Sequence, residues 1–323
     1  MPNVLIVLTL PEKIRNQYRD RLSASFPDIR FDLVDHHSKA HALSHDADIV
    51  ISFGVQLSDD IFRLGEKVRW VQALGSGVDG IVDQPSLRGD IVVTNMQGLH
   101  GAPCAESALC SMLSLARAMP RVLDNQRAGT WDRFPLKLLD RKTVAIVGVG
   151  VIAEALAPRC KAMGMRVVGV SSAPRDLPGF DAIVPRSELL RIAAEADYMV
   201  LVAPYTAANH HMINAEVLAA MKRGAFLINI ARGGVVDEEA LMAALDEGRI
   251  AGAALDVFAE EPLPKGHPFW AMKNVIVTPH LAGFHDEYQD LAIPIVEHNI
   301  RKFLAGDIAG MINVVRDGKG AKS

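Results

Sequence analysis

Several things are scarce in this chain. Cysteine is the first. Its 323 residues hold only Cys104, Cys110 and Cys160, with no C-x-x-C pair. That argues against a disulfide framework or a thiolate cluster and fits buried thiols in a reducing cytoplasm. Long apolar runs are absent too. No stretch approaches the roughly 20 residues of a membrane span. The opening MPNVLIVLTLPEK has no basic region before its apolar run, so it reads as a first strand, not a signal peptide. Excess positive charge is missing: 34 Lys and Arg face 38 Asp and Glu, a net charge of −4. No basic field invites nucleic acid or an anionic membrane. Metal-ligand spacing is thin. His37, His41 and His45 would share one helix face, but no cysteine joins them, so they read as a solvated face and no metal is expected. There is no low-complexity segment, and only the tail Gly318 to Ser323 reads as disordered.

What is present is a soluble α/β composition: 50% apolar and 22% charged residues, in a chain long enough for two domains. The most informative stretch is TVAIVGVGVIAEALAPRCKAMGMRVVGV. Thr143 to Val147 is an apolar, β-branched run typical of a buried parallel strand. Gly148-Val149-Gly150-Val151-Ile152-Ala153 follows as G-x-G-x-x-A. A helix then runs to Met163, and Gly164 stands where a C-cap glycine belongs. Met165 to Val170 is a second strand. Gly148 permits the tight turn and Gly150 a close approach of backbone to a pyrophosphate. The helix start at Val151 and Ile152 offers free N–H groups. Alone the pattern also suits a plain turn; between two such strands it predicts dinucleotide binding. Pro158 should bend the helix.

The first hundred residues alternate strand and helix. Strands are expected at Val4–Leu10, Ile29–Val34, Asp48–Phe53, Val68–Leu74 and Ile91–Asn95, with a helix at Glu12–Phe26. That makes a five-stranded parallel, flavodoxin-like sheet. Gly75-Ser76-Gly77-Val78-Asp79-Gly80 is either a plain tight turn or a nest of N–H groups able to hold a carboxylate. Pro103 to Met119 reads as one long apolar helix, either interdomain or a subunit contact. Arg127 to Phe134 reads as a loop.

After the βαβ unit, a polar stretch reaches Pro185. A helix at Ser187–Ala196, a strand at Tyr198–Ala203 and a helix from Asn214 to Gly224 come next. Then follow strands at Ala225–Ile230, Ala251–Val257 and Val275–Val277, with a helix from Asp237 to Gly248. This predicts a six- or seven-stranded Rossmann-type domain at 98–283, inserted into a domain of 1–97 plus 284–323. In the latter, Asp286 to Leu304 is a helix interrupted by Pro294 and expected to return to the first domain, and a last short extended piece follows at Ile312 to Val315.

Polar residues follow the C-terminal ends of three predicted strands, where open α/β sheets bind ligands. Arg232 lies in NIARGGVVD, Asp256 and Glu261 in LDVFAEEP, and His280 in VTPHLAG. Arginine can clamp a carboxylate. Histidine exchanges protons near neutral pH, and a carboxylate on its other nitrogen fixes its tautomer.

With GSGVD, VAIVGVGVIAEALA, INIARGGVVDEEAL, LDVFAEEPL and VTPHLAG in order, the chain resembles the D-isomer-specific 2-hydroxyacid dehydrogenase family. The resemblance implies that Arg232 binds the substrate carboxylate and polarises its 2-oxo group. His280 would exchange the proton, and Glu261, rather than Glu260, would raise its pKa. Gly54, Ser76 and Gly77 would bind substrate. Asp256, with backbone near Ile230 and Ala231, would bind the nicotinamide carboxamide. Thr206 would line the adenine side, and Ala203, Pro204 and Gly283 would also contact the cofactor. It suggests glyoxylate or hydroxypyruvate as substrate, a homodimer with no nucleic-acid or membrane partner, or, as the alternative, a dinucleotide-sensing protein with little turnover. Gly54, Val55, Trp131, Trp270 and Phe284 are candidates for substrate selectivity. One departure is informative. Ser171 and Ser172 stand where a ribose-binding acidic residue is expected, and Arg175 follows. That favours NADP(H) over NAD(H).

Overall fold

The structure is a computed structural model and describes residues 2–54 and 57–319. Val55 and the end of the tail, Gly320 to Ser323, lie outside these residues. The chain forms two compact units, Met1–Leu99 with Asp286–Ser323, and His100–His285.

The first unit begins β1 (Asn3–Val7), α1 (Glu12–Ser25), β2 (Arg30–Val34), α2 (His37–Ser44), β3 (Ile49–Ser52), α3 (Asp59–Leu64), β4 (Trp70–Ala73) and β5 (Val92–Thr94). The strands pair in parallel in the order β5-β4-β3-β1-β2. Alternate residues along a strand face opposite sides of the sheet, and β1 and β3 are almost wholly apolar on both. Val4 and Ile6 join one core, against Tyr18 and Leu22 of α1. Leu5 and Val7 join the other, against Ala40 of α2 and Ile61 and Phe62 of α3. Both faces of the sheet are thus covered.

The second unit opens with α4 (Gly101–Ala116) and α5 (Met119–Arg127). The expected helix from Pro103 to Met119 is α4, which starts two residues earlier and ends at Ala116, with a separate helix following. Ala118 adopts φ 48° and ψ 43°, a left-handed conformation that ends the first, and Pro120 starts the second. The apolarity of α4 is explained within its own unit: Cys104, Ala105, Ala108, Met112 and Leu115 pack with Leu156 and Cys160. Arg127 closes α5, so the loop starts one residue later than expected.

Next come β6 (Thr143–Val147), α6 (Val151–Ala162), β7 (Arg166–Ser171), β8 (Ala182–Pro185), α7 (Leu189–Glu195), β9 (Tyr198–Leu201), α8 (Ala215–Ala220), β10 (Phe226–Asn229), α9 (Glu238–Asp246), β11 (Gly252–Leu255) and β12 (Val275–Val277). The sheet runs β12-β11-β10-β9-β6-β7-β8, all parallel. This is the Rossmann order, with its switch point between β6 and β9. β8 falls in the stretch read as polar, in which no strand is expected; as an edge strand it is only half-buried. α6 continues through Pro158 as one helix. The expected helix at Ser187–Ala196 starts with a 3-10 turn at Arg186–Glu188. α8 ends at Ala220, short of Gly224, while Asn214 and Asp237 cap α8 and α9 through their side chains.

The chain returns to the first unit with α10 (Tyr288–Leu304) and β13 (Val314–Asp317). α10 is not interrupted at Pro294. β13 pairs antiparallel with β5, so the sheet has six strands and a mixed edge, not five parallel ones. A buried network guides this return. The Asn299 amide donates to Gln72 Oε1 at 2.9 Å, the Thr94 hydroxyl to the same oxygen at 2.8 Å, and the Ile312 N–H to Asn299 Oδ1 at 2.7 Å.

Candidate active site

The C-terminal edge of the second unit's sheet gathers most of the polar residues singled out above. The glycine turn follows β6. Gly148 has φ 99°, and a Cβ there would lie 2.5 Å from the Ala203 nitrogen, just after β9. Glycine is thus required at the switch point by the protein itself. Gly150 is different. It is extended, with φ −142° and ψ −162°, and a Cβ added there would meet nothing within 4 Å. The fold leaves that space open directly before the α6 N-terminus at Val151 and Ile152, where N–H groups lack intrahelical acceptors. The residues fit a bound pyrophosphate there.

Ser171 ends β7 and is buried, its hydroxyl within hydrogen-bonding distance of the Ala173 N–H (3.2 Å) and carbonyl (3.3 Å). Ser172 is exposed. Arg175 folds back over the glycine turn, with one guanidinium nitrogen 3.0 Å from Glu154 Oε1 and 3.4 Å from the Val149 carbonyl. Pro204 and Thr206 follow β9 on the surface, and the Thr206 N–H donates to Asn209 Oδ1 at 2.7 Å.

Ile230, Ala231 and Arg232 follow β10. The turn is fixed by Asn229, which is 1% exposed: its side chain accepts from the Ala231 N–H and donates to the Arg232 carbonyl, both at 3.1 Å. Gly233 allows a further close approach, since a Cβ there would stand 1.9 Å from the Phe258 carbonyl carbon. The backbone after β10 therefore lies directly against the backbone leading to Glu261.

Glu261 and His280 meet. Glu261 Oε2 lies 2.8 Å from His280 Nδ1, while Oε1 accepts the Phe258 N–H at 3.0 Å. Their side chains are 26% and 35% exposed, respectively. Burial pushes the Glu261 carboxyl up. The His280 hydrogen bond and charge, the Phe258 N–H and the Arg232 charge outweigh it, and the net position is below the ordinary carboxylate value. His280 has φ 54°, a left-handed conformation that few residues with a Cβ adopt.

Asp256, after β11, is 3% exposed. Its carboxylate accepts from the Thr278 hydroxyl at 2.5 Å and from the Leu281 and Ala282 N–H groups, each at 2.8 Å. Gly283 lies close to His100 and Cys104. Burial pushes the Cys104 thiol up to about 12, with Asp256 adding and Arg232 opposing, so it is a neutral packing group.

Gly54, Ser76 and Gly77 belong to the first unit, at the C-terminal ends of β3 and β4. The Asn95 amide donates to the Ser76 carbonyl at 2.6 Å, which pins the GSGVDG turn. Trp131 is 93% exposed, and Trp270 hydrogen-bonds the Pro264 carbonyl. Val55, the other candidate for selectivity, lies outside the described residues. His41 faces Asp60 at 3.5 Å. Asn229, Gly233 and Thr278 lie inside the quoted motifs INIARGGVVDEEAL and VTPHLAG, but sequence reading assigns them no role. The one available signal is a polar residue closing an otherwise apolar strand.

Residues 109–282 match the model of the D-isomer-specific 2-hydroxyacid dehydrogenase NAD-binding domain. A D-3-phosphoglycerate dehydrogenase of Methanocaldococcus jannaschii is 35% identical over 82% of this chain; the matched region covers 51% of that relative. The chain thus spans about half of that longer protein. Glyoxylate/hydroxypyruvate reductase B of Yersinia pestis is 31% identical over 95% of both chains. Among solved structures, a family member from Xanthobacter autotrophicus in complex with NADPH is 31% identical, covers 99% of this chain and 100% of its own, and gives a TM-score of 0.80. A D-lactate dehydrogenase of Aquifex aeolicus, complexed with NAD and lactic acid, is 25% identical, covers 97% and 99%, and gives 0.86.

Proposed function

The chain belongs to the D-isomer-specific 2-hydroxyacid dehydrogenase family and is an oxidoreductase by that membership, and from this premise we propose that it reduces a small 2-oxoacid of the glyoxylate or hydroxypyruvate kind to a D-2-hydroxyacid, with NADPH favoured over NADH. The observation that carries the reading is the contact of His280 Nδ1 with Glu261 at 2.8 Å. It leaves Nε2 for the substrate and fixes which nitrogen exchanges the proton.

When bound, the reduced nicotinamide supplies hydride to the 2-oxo carbon. The protein's residues do the rest. Arg232 clamps the carboxylate and draws charge toward the 2-oxo oxygen. His280, protonated, gives its Nε2 proton to that oxygen. Glu261 stabilises the imidazolium through Nδ1. Gly54, Ser76 and Gly77 are proposed as further contacts to the acid. Ile230, Ala231, Asp256 and Gly283 would serve the nicotinamide end, and Ala203, Pro204 and Thr206 the adenine end.

The preference for NADPH rests on Ser171, Ser172 and Arg175. No acidic residue follows β7 immediately to repel a 2′-phosphate, and Arg175 already lies against the glycine turn. The NADPH-bound relative supports this, and the NAD-bound one is the reason to test it. The sparse, unpaired cysteines support a cytoplasmic location, and the family resemblance a homodimer. The experiment is a panel of 2-oxoacids assayed with each reduced cofactor. Turnover of a small 2-oxoacid is expected, with kcat/KM for NADPH above that for NADH by about tenfold or more, or roughly 1.4 kcal/mol. Higher kcat/KM with NADH would overturn the cofactor assignment. Tight nucleotide binding without turnover on any acid would favour a dinucleotide sensor.

A further inference from the structure

We propose that Asp256 is the positioning residue for His280, holding the backbone on which the proton-donating imidazole stands. The inference rests on the reading of His280 given above. Asp256 surrounds that residue with bonds from both sides. Its carboxylate takes the Thr278 hydroxyl two residues before His280 and the Leu281 and Ala282 N–H groups after it. Its main-chain carbonyl accepts the His280 N–H at 2.8 Å, and its own N–H is fixed by the Asn229 carbonyl at 2.9 Å. One residue therefore joins the end of β10, the end of β11 and the whole segment from Thr278 to Ala282.

The conformation at His280 explains why such a hold is needed. Its φ of 54° is unfavourable for a side chain with a Cβ, and such a residue persists only when its surroundings over-determine it. Asparagine or glycine would relieve the strain but could not donate the proton. The chemistry also explains why the holder is an acid. Its three carboxylate partners are all donors, and a carboxylate is acceptor-only. An amide would turn an N–H toward at least one of them. A contact from Asp256 to the nicotinamide could use only the capacity left after these three bonds, which the protein makes by itself. If the segment relaxes, the imidazole swings and the contact with Glu261 is lost.

The test uses Asp256→Asn and Thr278→Val, the second removing one donor with little change in shape. Three readouts are compared with the parent: the ring ¹⁵N signals of His280 in the nucleotide-free protein, the Kd for NADP⁺, and kcat against KM for the acid. The parent should show one His280 tautomer, with Nδ1 protonated. Asp256→Asn should give mixed tautomers and lower kcat by about 10- to 100-fold, as expected for a displaced catalytic group. Thr278→Val should shift both in the same direction by less. In Thr278→Val, KM and nucleotide Kd should stay within about threefold, roughly 0.7 kcal/mol. An unchanged His280 signal in Thr278→Val and Asp256→Asn overturns the proposal. So does an Asp256→Asn effect confined to nucleotide affinity. Thr278→Val carries the test alone where Asp256→Asn fails to fold. The NMR readout needs no turnover, so an inactive parent protein would refute the enzymatic reading without obscuring this one.

Discussion

Gly150→Ala separates what the fold requires from what a ligand requires. The substitution adds one methyl group at a residue with φ −142° and ψ −162°, in a space where no atom beyond its chain neighbours comes within 4 Å. The folded state should accept it. Loss of glycine freedom in the unfolded chain should even stabilise the protein by about 0.4–1 kcal/mol. The nucleotide should not accept it. The methyl stands before the α6 N-terminus, where a pyrophosphate would approach the Val151 and Ile152 N–H groups. Losing one hydrogen bond to a charged group costs about 1.5–3 kcal/mol, which raises Kd by about 10- to 150-fold at 1.4 kcal/mol per decade. Calorimetric titration with NADPH and a thermal melt of the same sample read the two effects. Gly148→Ala is the contrast. At φ 99°, with a Cβ 2.5 Å from the Ala203 backbone, it should lower the melting temperature outright. Unchanged NADPH affinity in Gly150→Ala would refute the assignment of this turn to the cofactor.

Other perturbations address the remaining parts of the site. Gly233→Ala forces a Cβ to within 1.9 Å of the Phe258 carbonyl carbon; it should cost about 1–3 kcal/mol or more and reduce kcat/KM by displacing Arg232 from Glu261, and unaltered melting and kinetics would count against that packing. Glu261 sits below its ordinary value when folded. Its contribution to stability is therefore complete above the unfolded-state value near 4.5 and lost as pH falls through the folded one. Glu261→Gln should reduce the acid-side loss of melting temperature; an identical pH–melting curve would be the contrary result. Asn229→Ala releases the turn that carries Arg232 and should raise KM for the acid more than it lowers kcat, by about tenfold if one buried hydrogen bond of 1–2 kcal/mol is lost. An effect on kcat alone would point elsewhere.

The parts of the fold legible in the sequence are those that many residues specify together. The βαβ unit is written in two apolar runs, a glycine turn and a C-cap glycine, each dictated by a separate constraint. The sites after β10, β11 and β12 are legible because strand ends are easy to find and their polar residues interrupt apolar runs. What escaped reading depends on partners distant in sequence. β8 is an edge strand, so burial does not impose a clean pattern on Ala182–Pro185. β13 is short and exists because β5 offers an open edge and Asn299 holds Ile312. The break at Ala118 turns on a single backbone conformation. Pro294 suggested an interruption, yet α10 buries Ala292, Ile293, Val296 and Ile300 along one face, and that packing carries the helix through. At the site, Asp256 was recognisable as a polar residue at a strand end. Its three backbone and hydroxyl partners were not, because Thr278, Leu281 and Ala282 reach it only through the packing of β12 beside β11.

The proposed function turns on His280 delivering the proton while other residues hold the nucleotide. The most direct test is His280→Asn, which suits the left-handed backbone at this position but cannot donate as imidazolium does. Measured together, kcat for reduction of the best 2-oxoacid with NADPH should fall by about 10²- to 10⁴-fold, while the Kd for NADPH changes by less than about threefold, roughly 0.7 kcal/mol. An undiminished kcat, or a loss explained by nucleotide affinity alone, would contradict it.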